Sequence, residues 1–103
     1  TYKEESDLIL TRDQKLSSLD ELIMLTRSRL QSLEIELDEL SDNADEYESR
    51  SKKVPEGLQG RMKNVLENIS QGEELIVLKE QEKKQLEQQF NEDIRRYRML
   101  TSK

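Results

Sequence analysis

A chain of 103 residues with 39% charged and 32% apolar side chains holds at most one domain. It has neither cysteine nor histidine, which excludes a disulfide framework and thiolate metal sites and suits a reducing, cytoplasmic setting. The net charge of −6 lies in the first half: residues 1–53 carry 14 acids and 8 bases, whereas residues 54–103 carry nine of each, so no basic stripe is present to neutralise nucleic-acid phosphates.

Apolar residues in the first half recur at alternating steps of three and four. Ile9, Leu16, Ile23, Leu30, Leu37 and Ala44 take heptad position a, and Leu19, Leu33, Leu40, Tyr47 and Val54 take d. Arg12, Thr26 and Ser51 are the polar members of this seam. A repeat sustained beyond three or four heptads is the signature of a coiled coil. The spacing predicts a helix over about residues 4–53.

The only proline and two of the three glycines fall between Pro55 and Gly60. Proline inside a helix removes a hydrogen bond and costs roughly 3 kcal/mol, yet it sits comfortably in the first turn of a new helix. A break is therefore expected near residues 54–58, with a second helix over about 58–101. Its seam is poorer. Met62, Ile69, Ile76, Phe90 and Tyr97 fit a; Leu58, Val65, Leu86 and Leu100 fit d; Gly72, Lys79, Lys83 and Asp93 fill the remaining sites.

The fold expected is all-α: a coiled coil of two long helices, as an antiparallel hairpin in preference to a parallel, kinked, dimeric rod. With a turn centred near residue 56, facing residues have numbers adding to about 112 or 113. Leu16 then meets Tyr97, Leu19 meets Ile94, Ile23 meets Phe90, Leu37 meets Ile76 and Leu40 meets Gly72, with Lys79 and Lys83 beside Leu33 and Leu30. Large residues meet small ones, as a filled core requires. A parallel rod would stack Gly72, Lys79, Lys83 and Asp93 on their own copies.

No nucleophile–base pair is available to a chain without His or Cys, so catalysis is not expected and no cofactor or metal is called for. The acidic segment Ser41–Glu46 lacks the glycine and the terminal glutamate of a calcium loop. No apolar run reaches the roughly 18 residues that cross a bilayer, so a membrane role is not favoured. The chain begins without methionine and is read as a fragment of a larger protein.

What remains is binding. Seam residues Leu16, Leu19, Ile23, Leu30, Leu33, Leu37, Leu40, Tyr47, Met62, Val65, Ile69, Ile76, Leu86, Phe90 and Tyr97 are the expected oligomer or partner contacts. Off the seam lie two wider runs, Leu22–Leu25 and Leu75–Leu78, with Ile35 and Leu66, which suit a homodimer, a four-helix bundle or a different helical protein. Glu34, Glu36, Asp38, Glu39, Asp42, Asp45, Glu46 and Glu48 form a block without a base, a candidate surface for a basic partner or a solubilising outer face. The expected function is a non-enzymatic scaffold or adaptor module of cytoskeletal, centrosomal or trafficking type. The short segment Gln71-Gly72-Glu73-Glu74-Leu75 resembles the centre of a SNARE motif, which would imply a strand of a helical bundle at a membrane surface. It departs from that pattern where Gln71 leaves the seam and Lys79 and Lys83 interrupt the layers that should follow.

Overall fold

A computed structural model describes residues 4–102. Helix α1 runs Glu5–Ser49 and helix α2 runs Glu56–Thr101, and the two form an all-α helical hairpin with no strand among the described residues. Glu5 and Asp7 place negative charge in the first turn of α1, where the helix dipole favours it. The Glu4 carbonyl accepts the amides of Asp7 at 3.1 Å and Leu8 at 3.4 Å.

The first helix ends four residues before the expected 53. Ser51 adopts a left-handed backbone with φ 55°. The Lys52 amide donates to the Tyr47 carbonyl at 2.9 Å and the Ser51 amide to the Glu48 carbonyl at 3.0 Å. This pair of bonds is a Schellman motif, which satisfies the last carbonyls and turns the chain away. Glycine usually occupies the left-handed position; serine there gave no sequence signal. The second helix begins two residues earlier than expected. The Pro55 carbonyl accepts the Gln59 amide at 3.1 Å, and Gln59 Nε2 donates to the Val54 carbonyl at 2.9 Å. Proline thus stands immediately before the first helical residue, where a missing amide hydrogen costs nothing.

The break is therefore residues 50–55, and the hairpin turns earlier in the chain than the expected centre at 56. This corrects the pairing. Gly72 packs against Leu30, not Leu40, and Lys83 pairs with Asp20 instead of lying beside Leu30. Facing residues have numbers adding to 102–105, as in Leu30 with Gly72, Arg12 with Asn91 and Lys15 with Phe90.

Packing divides the chain into two units, one formed by the residues up to Met24 with those from Val77, the other by Leu25–Ile76. In the first, Leu8, Phe90 and Ile94 form a buried cluster on which Ile9, Leu86 and Tyr97 pack. Burial of a Leu- or Phe-sized side chain contributes about 1.5–3 kcal/mol, which makes these three the main support of their unit. Lys15 Nζ stands 5.5 Å from the Phe90 ring centre, adding a cation–π contact at the cluster's edge. In the second unit Leu40, Ala44, Val65 and Ile76 are buried along the seam, with Thr26 the buried polar member.

Candidate interaction surfaces

The seam residues face the other helix of their own chain. Ile23, Leu40, Val65, Ile76 and Phe90 are buried, and Leu16, Leu19, Leu30, Leu33, Leu37, Met62, Ile69, Leu86 and Tyr97 are half-buried. Tyr47, assigned to the same seam, is exposed next to the turn. Leu100, also a seam assignment, is 74% exposed, because α1 begins at Glu5, which already pairs with Arg98. Leu8 and Ile94 are buried although the heptad assignment left both out. The expected hairpin pairing places Ile94 at the helix interface, opposite Leu19, and it stands four residues after Phe90 on the same helix face.

Polar seam positions are resolved by pairing across the helices of the first unit. Arg12 Nη1 donates to Asn91 Oδ1 at 3.0 Å, and its Nε donates to Asp13 Oδ1 at 3.1 Å. Lys83 Nζ lies 2.6 Å from Asp20 Oδ1. The bond from Asp20 raises the Lys83 pKa above its ordinary 10.5, against partial desolvation and with the help of Glu87 and Glu80. Lys79 turns along its own helix to Glu82, at 3.0 Å.

Three groups of side chains remain outside the seam. The first is apolar. Of the run Leu22–Leu25 only Ile23 points inward, and of Leu75–Leu78 only Ile76 is buried, Leu75 being half-buried. Met24 and Leu25 on α1 are each 69% exposed, and Val77 and Leu78 on α2 are 54% and 60% exposed.

The second group is the acidic block. Seven of its acids are exposed and Glu36 is half-buried. Within the second unit the register sets this block opposite α2 residues of about 55–69, a stretch holding Arg61 and Lys63. Among the described residues Glu46 is the one block acid with an ion pair, to Arg50 at 3.1 Å on the same chain segment.

The third group is basic. Arg98 pairs with Glu5, joining the two chain ends as their opposite charges favour, and Arg96 pairs with Glu92 at 3.0 Å. A shallow groove in the first unit is lined by Ile9, Arg12, Asn91, Ile94, Arg95 and Arg98. No helix among the described residues is long and apolar enough to cross a membrane. No protein-family model matches the chain, and neither a curated protein nor a solved structure matches it.

Proposed function

We propose that this chain is a non-enzymatic coiled-coil interaction module, a cytoplasmic scaffold or adaptor element that associates with itself or with another helical protein. The observation that carries this reading is that the hairpin fills its own seam and still leaves large apolar side chains in water. Met24, Leu25, Val77 and Leu78 are all more than half exposed, in a chain with few apolar residues to spare. Contiguous apolar side chains on a helix surface mark contact with another molecule more often than chance placement does. Because the seam is used within the chain, association proceeds through these outer positions. A parallel rod would need the same seam a second time.

Sedimentation equilibrium over a wide concentration range tests this reading. The wild-type chain is expected to gain mass with concentration, and a Leu25→Gln, Leu78→Gln variant to remain helical while associating more weakly. An unchanged association in that variant, or a chain that neither self-associates nor binds a helical partner, overturns the proposal.

A further inference from the structure

The basic groove and the acidic block have matching geometry, and the inference drawn from it rests on the self-association proposed above. In the groove, Asn91, Ile94, Arg95 and Arg98 stand at i, i+3, i+4 and i+7 along α2, so they share one helix face. Ile9 and Arg12 of α1 border them. Arg98 and Arg12 have acidic neighbours in Glu5 and Asp13, but Arg95 makes neither a hydrogen bond nor an ion pair among the described residues. A guanidinium presents a planar fork of donors suited to a carboxylate.

On α1 in the second unit, Ile35, Asp38, Glu39 and Asp42 repeat the same spacing, with Asp45 and Glu46 continuing the row. All six are exposed, and Ile35 is a 57% exposed apolar side chain set among acids. Residues 25–76 hold 12 acids against 7 bases, so this face has carboxylates in excess of its own cations. Each quartet spans about 10 Å of helix. One quartet is basic around an isoleucine; the other is acidic beside an isoleucine.

We infer that the groove of one copy receives the acidic face of α1 from a second copy, with Asp38 or Glu39 against Arg95 and Asp42 against Arg98 or Asn91. Whether the two helices meet parallel or antiparallel, one of these two acids falls opposite Arg95. The partner of the acidic block is thus the chain itself. Every copy supplies one groove and one acidic face, so the contact depends on charge and weakens with salt.

Charge exchange in the full chain tests this. An Arg95→Glu variant and an Asp38→Lys, Glu39→Lys variant are each exposed changes, and circular dichroism verifies that both remain helical. Each alone is expected to self-associate roughly tenfold more weakly than wild type, because like charges now oppose. An equimolar mixture is expected to recover association, since each variant then meets its complement. A mixture no tighter than its components overturns the inference. So do charge variants that associate like wild type; if the Leu25→Gln, Leu78→Gln variant is weakened in that case, self-association through the apolar positions stands and only the groove assignment fails. A wild-type chain that stays monomeric throughout sinks the groove assignment together with self-association.

Discussion

Leu30 rests directly on the backbone of Gly72: a Cβ added at that glycine would lie 2.6 Å from Leu30 Cδ2 and 3.2 Å from Cγ. Glycine is a poor helix former, and here its missing side chain makes room for a residue of the facing helix. Gly60 lies in the same helix with nothing within 4 Å of such a Cβ. The two positions separate packing from propensity. Gly60→Ala is expected to stabilise the hairpin by about 1 kcal/mol through helix propensity alone. Gly72→Ala gains the same propensity but forces the Leu30 side chain aside, at about 1 kcal/mol or more, and should therefore stabilise less than Gly60→Ala. Thermal unfolding followed by circular dichroism reads both; a Gly72→Ala chain as stable as Gly60→Ala would remove the close approach from the account.

Ser51 holds its left-handed backbone without the freedom of glycine. Its amide and that of Lys52 close the end of α1, so the conformation must be kept. Ser51→Gly is expected to raise stability by about 1 kcal/mol, the cost that a Cβ imposes in this region. Ser51→Val should lower it by at least as much. Equal melting temperatures for the three chains would show that the turn does not depend on this residue.

Phe90 anchors the buried cluster with Leu8 and Ile94. Phe90→Ala leaves a cavity and removes the Lys15 contact, and it should cost about 3–5 kcal/mol. In a hairpin with one narrow seam, that loss is expected to free the surrounding residues. Amide hydrogen exchange should then accelerate around residues 8–12 and 86–97 more than around the turn. Uniform acceleration would mean that the cluster supports the whole chain.

The Asp20–Lys83 pair predicts a pH response with a definite sign. Folding raises the Lys83 pKa above 10.5, chiefly through the bond to Asp20. A base whose pKa is raised in the folded chain contributes its full stabilisation below the unfolded value and loses it as pH rises through the folded value. Stability should therefore fall as the solution passes above about pH 10.5, and this component should shrink in Asp20→Asn. The pair is partly exposed and screened by salt, so the effect is small. Parallel pH profiles for wild type and Asp20→Asn would show the pair to be inert.

The heptad spacing of Ile23, Leu40, Val65, Ile76 and Phe90 made the helices and their inward faces legible from the residues alone. Period 3.5 is a local property, set by which side chains avoid water, and it needs no knowledge of the partner. The same regularity concealed the register. Sliding one apolar stripe along another by seven or ten residues still sets apolar against apolar, so the spacing alone did not choose between Leu40 and Leu30 as the neighbour of Gly72.

What chose between them was the turn. Pro55 announces a break, but the chain had already turned at Ser51, whose left-handed conformation has no residue signature. That shift moved the facing pairs, brought Lys83 to Asp20, and set Arg61 and Lys63 opposite the acidic block. Helix formation is decided by neighbours within a few positions, and so it is written in the order of residues. Register is decided by where two distant segments stop sliding, and only the folded chain, with its turn closed and Leu30 seated on Gly72, fixes that.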